Sequence, residues 1–181
     1  MTSTKRRLMV GMMMTGLVGT GRPVVAASVD VLAIGRVRSS HAEIGRVLAE
    51  ASDRSRTFRR LVEAINASDG TVYVEEGKCG YGVRGCLAMV TMAGAHRYLW
   101  VKVDTRMTDW DLMALIGHEL QHALEVLSDR TVTSGFAMHR FYFRQGSRTN
   151  GLAAFETHAA IEAGDAVRTE VRKYRPRTQA R

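Results

Sequence analysis

His118-Glu119-Leu120-Gln121-His122 places two imidazoles four residues apart, with a carboxylate directly after the first. Along a helix, four residues rise about 6 Å and complete about one turn. Both rings therefore leave the same face, close enough to share one ion at Zn–N distances of about 2.0–2.1 Å. Glu119 lies about 100° further round the helix. From there it reaches a water on the ion without ligating the ion itself. Zinc lowers the pKa of such a water, and a positioned carboxylate takes its proton as the oxygen attacks a carbonyl. Leu120, Gln121, Ala123 and Leu124 carry no charge, so the motif belongs to an amphipathic helix. The spacing points to one Zn2+ per chain and to metal-assisted hydrolysis with Glu119 as general base.

A catalytic zinc site uses three protein ligands and keeps one position open. His139, Glu156 and His158 are the downstream candidates for the third. A final helix read from Leu152 to about Lys173 has an apolar stripe of Leu152, Ala159, Ala163 and Val167, with Glu156 in its middle. An unpaired carboxylate on a buried face is very costly. Glu156 therefore needs a cation, either the zinc or an arginine at the rim of the core, and the ligand role is preferred. His158 turns the other way, with Glu162 and Asp165. His139 falls in a polar stretch, Ser128–Arg148, read as irregular. It is a candidate for orienting substrate, as is Tyr142 by donating to an oxyanion; packing is the alternative for each.

The elements that must position these groups follow from the hydrophobic periodicity. Ile44, Val47, Leu48 and Ala51 recur at helical spacing, as do Phe58, Leu61, Val62 and Ile65. Asp69-Gly70 is a turn signal. Three β-rich runs follow: Thr71–Glu75, Leu87–Met92 and Arg97–Asp104, the last two joined through Ala93-Gly94-Ala95. Thr108 and Asp111 form a weak capping box for the motif helix, which should run to about Leu127. Residues 28–40 read as a loose entry. The order helices, small antiparallel or mixed sheet, helices gives an α+β class.

On the histidine motif in one helix and Glu156 in a later one, the chain resembles the gluzincin branch of the zincin metallopeptidases. It is also similar to small exported bacterial proteins with a His-Glu-Leu-Gln-His-Ala-Leu-Glu segment. The resemblance implies a zincin-like fold and His118, His122 and Glu156 as zinc ligands. It also implies Glu119 as catalytic base and a peptide or protein substrate. Such a substrate would pair with an edge strand, here Arg97–Asp104 through Leu99 and Val101. The elongated metzincin motif is absent, since Glu125 and Ser128 stand where its glycine and third histidine would be. Gluzincins often carry an aspartate four residues after the ligating glutamate, supporting a histidine ligand. Here that residue is Ala160, and such a loss weakens metal affinity by about tenfold or more. A zincin-fold module that binds zinc or a partner without turnover is therefore the alternative function.

Composition bounds the rest. The 181 residues, 45% hydrophobic and 24% charged, suit one domain with a core of ordinary size. Lys5, Arg6 and Arg7 precede an uncharged run, Leu8–Thr20, and small residues at Val25, Ala26 and Ala27. That is the anatomy of a signal peptide over residues 1–27, cleaved near Ala27, leaving 28–181 as one exported hydrolase domain, periplasmic or secreted. The apolar run is short for a membrane span, which needs about 20 residues, and no later stretch is apolar enough. Loss of Lys5, Arg6, Arg7 and Arg22 lowers the formal charge of +8 by four. Much of the remainder lies in Arg168, Arg172, Lys173, Arg175, Arg177 and Arg181. A single aromatic residue, Tyr174, stands among them, too few for a stacking platform, so no specific nucleic-acid partner is expected. Cys79 and Cys86 close a glycine-rich loop, and export favours a disulfide between them.

Overall fold

The computed structural model describes residues 32–145 and 155–174. The signal peptide expected over residues 1–27, Leu152, and the tail arginines Arg175, Arg177 and Arg181 lie outside them. The architecture is α+β. Strands β1 (Leu32–Ile34) and β2 (Val37–Ser39) come first, then helices α1 (Ala42–Arg54) and α2 (Arg56–Asn66). Strands β3 (Gly70–Glu76), β4 (Gly85–Ala93) and β5 (His96–Val103) follow, and then α3 (Asp109–Ser128), α4 (Gly135–Arg144) and α5 (His158–Lys173). No described helix is long and apolar enough to cross a membrane.

The five strands form one sheet in the order β1-β2-β3-β5-β4. It is mixed: β2–β3 and β3–β5 are parallel, whereas β1–β2 and β4–β5 are antiparallel. Val72, Val74, Leu99, Val101 and Val103 alternate into the core with α1, α2 and α3. On the other face, Tyr73 and Trp100 pair across β3 and β5 with ring centres 5.6 Å apart and stay half-exposed. The β4–β5 hairpin turns at Gly94, whose φ of 60° is the left-handed backbone that glycine tolerates.

Three expectations are corrected here. The entry segment contains the β1–β2 hairpin, turned at Gly35 with φ 68°. The stretch after Ser128 contains α4, whose N-cap Ser134 accepts a hydrogen bond from the Ala137 amide. Finally, Arg97–Asp104 does not hold an edge strand. β5 lies between β3 and β4, paired on both sides, and among the described residues the free edge on this side of the sheet is β4. Leu99 and Val101 are fully buried core residues, so neither their side chains nor their backbones can align a substrate.

The path from β3 to β4 matters for the site. β4 is not β3's neighbour, so residues 77–84 must stride across the end of β5. The Gly77 amide donates to Val103 O at 3.0 Å, and the Asp104 amide donates to Arg84 O at 2.7 Å. The Cys79–Cys86 disulfide is formed and closes this overpass.

Two clamps fix the helices. Ser55 ends α1 and caps α2, accepting from the Phe58 amide at 3.0 Å. From α5, Glu170 accepts from Ser55 Oγ, Thr57 Oγ1 and the Thr57 amide at 2.6–2.9 Å. At the other end of the sheet, the buried Arg97 donates to the carbonyls of Val126, Leu127, Asp129 and Val132 and to Asp69. The carbonyls at a helix C-terminus lack intrahelical donors and carry partial negative charge. Arg97 thus binds the end of α3 to the start of β5.

Candidate metal centre

Helix α3 is buried along Leu112, Ile116, Leu120, Ala123 and Leu127, and it lies between the sheet and α5. Its capping pair acts differently from expectation: Thr108 Oγ1 donates to Asp111 Oδ2 at 2.6 Å, and no side chain bonds the first-turn amides. Two glycines let α3 and α5 approach. A Cβ at Gly117 would stand 2.8 Å from Val167 Cγ2, and one at Gly164 would stand 3.2 Å from His118 Cβ. This close crossing brings the start of α5 over His118 and His122.

Glu156 stands there, but not on a helix. α5 begins at His158, and its N-cap Thr157 accepts from the Ala160 amide at 3.1 Å. Glu156 precedes the cap in extended chain. The stripe reasoning is corrected accordingly: Ala159 is exposed, and the buried face of α5 runs through Ala160, Ala163, Gly164 and Val167. His158 is exposed beside Glu162. Even so, one ligating atom from each of His118, His122 and Glu156 lies within 4.8 Å of the others. The two Nε2 atoms are 3.2 Å apart, and His118 Nε2 is 3.5 Å from Glu156 Oε2.

The electrostatics of this cluster suit a cation. Burial and the neighbouring His122 push His118 down to about 4, so the ring is neutral and offers a lone pair. Its ring hydrogen-bonds the backbone of Ala160. Ala160, which has no acidic side chain to offer, therefore supports this histidine through its main chain. Burial opposes charge on His122 too, but the hydrogen bond to Glu125, with Glu119 and Glu156 nearby, raises it. Burial raises Glu156. Three carboxylates around two half-buried or buried imidazoles form a site that a divalent ion would neutralise.

Glu125 was not foreseen in this role. The hydrogen bond of 3.0 Å between His122 Nδ1 and Glu125 Oε2 places the Nδ1 proton toward the carboxylate and turns Nε2 toward His118 and Glu156, where it would offer its lone pair to an ion. Thr157 Oγ1 donates to the other Glu125 oxygen at 2.6 Å. Burial favours the acid form of Glu125, but the bonds from His122 and Thr157 outweigh it and lower its pKa. The signal was present in the sequence, since Glu125 is three residues from His122 and so shares its helix face. Through Thr157, the same carboxylate also ties α3 to the segment that carries Glu156.

Glu119 is 3% exposed and faces the start of β4. The strand approaches closely because residue 85 is glycine; a Cβ there would stand 2.9 Å from Glu119 Oε1. The backbone of Leu87 hydrogen-bonds the carboxylate, and burial pushes its pKa up to about 7. Oε2 is buried with no hydrogen-bond partner among the described residues. An orphaned carboxylate oxygen of this kind is very costly unless something occupies the space before it. A water beside an ion held by His118, His122 and Glu156 fits that requirement, and the two-nitrogen, one-oxygen donor set suits zinc.

Two cavities open on Glu119 and Glu156. One, about 520 Å³, is lined by His118, Leu115, Met107, Arg84 and Arg168. The other, about 330 Å³, is lined by Leu87, Met138, His139, Tyr142, Phe155 and the two lysines Lys78 and Lys102. His139, on α4, lies in its wall with its ring 5.2 Å from Phe155. Of the two roles open to Tyr142, the structure shows packing. Its hydroxyl donates to the His122 carbonyl at 3.0 Å, and it is 3% exposed, so it supports α3 and is not free for an oxyanion. Burial holds its pKa far above the ordinary phenol value. Comparison of the chain with protein-family models, curated proteins and solved structures gives no match.

Proposed function

We propose that the chain is a zinc-dependent hydrolase, most plainly a peptidase, that works after export. The observation that carries this reading is the convergence of His118, His122 and Glu156 beside a buried Glu119 with one unpartnered oxygen. Bound zinc would supply Lewis-acid polarisation of a water and of the scissile carbonyl. Glu119, held near 7 by burial, takes the water's proton as the C–O bond forms. It then returns that proton to the leaving nitrogen as the C–N bond breaks. Leu87 keeps the Glu119 carboxylate aimed, and the unpaired edge of β4 lies where an extended peptide could pair. The gluzincin resemblance supports the ligand roles, and the leader-like N-terminus together with the formed Cys79–Cys86 disulfide supports export.

Elemental analysis of the purified chain tests the first step. About one zinc per chain is expected, and the His118→Ala variant should lose it. Absence of bound metal after zinc is offered to the folded protein would end the hydrolase reading.

A second prediction concerns Glu125. Glu125→Gln keeps the size of the group but removes the charge that orients His122. Zinc affinity, measured by competition with a chromophoric chelator, should fall about 10–100-fold. Affinity within about twofold of wild type would assign Glu125 to packing alone.

A further inference from the structure

The smaller cavity has two cationic groups, Lys78 and Lys102, in a wall apart from its two carboxylates. Neither lysine has an ion pair among the described residues. The acids nearest them in the sheet and loop are engaged elsewhere. Glu75 stands opposite Lys102 in the strand register but accepts from the Ser40 amide and hydroxyl and pairs with His41. Glu76 accepts from Thr105 Oγ1, and Asp104 holds Arg106. The only carboxylates lining the cavity are Glu119 and Glu156, and both face the candidate metal.

The lysines are also positioned. A Cβ at residue 77 would lie 3.0–3.4 Å from the Cδ, Cγ and Cβ atoms of Lys102, so glycine at this point leaves a track along which the Lys102 stem runs. Lys78 follows immediately and is anchored by the disulfide at Cys79. The overpass and β5 thus bring two exposed cations, Lys78 and Lys102, to the cavity that Glu119 lines, while Leu87, Met138 and Phe155 supply an apolar wall.

We infer that this cavity receives a substrate carboxylate next to the scissile bond, and that Lys78 and Lys102 determine specificity for it. The inference rests on the hydrolase reading and names its substrate class: peptides with an acidic residue beside the cleaved bond, or with their C-terminal carboxylate there. Two cations facing an anion in a partly enclosed site bind it and exclude cationic competitors by like-charge repulsion.

The test uses the zinc-loaded Glu119→Gln full chain, so that binding is read without turnover. Fluorescence anisotropy compares four labelled peptides of one sequence: an internal Asp, an internal Asn or an internal Lys, each amidated, and the Asn peptide with a free C-terminus. The Asp peptide or the free-acid peptide should bind at least about tenfold tighter than the amidated Asn peptide, and which of the two does so identifies the source of the carboxylate. Adding Lys78→Glu and Lys102→Glu should invert the order in favour of the Lys peptide, and adding Lys173→Glu, at the far end of α5, should leave it alone. A circular-dichroism melt and zinc content establish that each variant is folded and loaded. Charge-blind binding by the zinc-loaded protein, or an unchanged preference after the double reversal, would overturn the inference while leaving the hydrolase reading intact. No binding of any peptide by a zinc-loaded chain would overturn both.

Discussion

The Glu119→Gln variant is expected to keep its zinc content while hydrolysis falls by about 10²–10⁴-fold. Glu119 is not among the three residues whose ligating atoms converge, so the ion's protein ligands survive the change. Glutamine fills the same space between α3 and β4, and its carbonyl oxygen can still accept the hydrogen bond from the Leu87 backbone. What it cannot do is carry a proton. The position now held by Oε2, buried and without a partner among the described residues, would be taken by an amide that only donates. Zinc retained with turnover lost separates a catalytic role from a ligating one. Zinc and turnover both retained would remove Glu119 from the mechanism and favour a module that binds without catalysis.

The Arg97→Met variant should lose about 3–5 kcal/mol of stability. Arg97 is 1% exposed and donates to four backbone carbonyls around the end of α3 as well as to Asp69. Methionine fills part of the volume but leaves those carbonyls without a donor, and unmade buried hydrogen bonds are costly. Urea titration monitored by circular dichroism should show a lower midpoint with an unchanged slope. A loss below about 1 kcal/mol would mean that water satisfies the carbonyls and that the guanidinium is dispensable. Acid provides a second readout. The hydrogen bond and charge of Arg97 hold Asp69 below the ordinary carboxylate range. A depressed folded pKa contributes stability above the unfolded value of 3.8, and that stability is lost as the pH falls toward the folded value. Wild type should show this acid-sensitive component, and Arg97→Met should lack it.

The parts of the site visible in the sequence were those carried by a single element. His118, Glu119 and His122 lie within five residues, so helix geometry alone determines how they share a face. Glu125 is legible by the same rule, three residues after His122 on the same helix face, whereas its second bond, from Thr157, depends on how α5 crosses α3. Glu156 was singled out from a helix assumed to start at Leu152. The helix starts at His158, and Thr157, a residue type that favours N-caps, was the overlooked boundary signal. β5 shows why strand order resists this kind of reading. The alternation of Arg97 to Val103 tells which side chains face the core, and it would be the same for an edge strand and an interior one. Position in the sheet depends on which neighbours the connections permit, and here the overpass at residues 77–84 sends the next strand to the outside. The α+β class was legible because helical and β periods change cleanly near Asp69 and again near Thr108. The β1–β2 hairpin and α4 were missed although Gly35 and Ser134 marked their turn and cap.

The free edge of β4 also bears on how the protein behaves at high concentration. A row of unpaired amides and carbonyls recruits any extended chain, including a second copy of the same molecule, and proteins commonly guard such edges with irregularities. In β4 the pairing register slips between Leu87 and Met89. A bulge there bends the strand and breaks the even spacing that a long intruding strand would need. Its position divides the edge into a short stretch beside Glu119 and a longer one bearing the exposed Met89 and Met92. The irregularity thereby works as a guard against open-ended strand stacking, while leaving the few residues nearest the carboxylate free to pair.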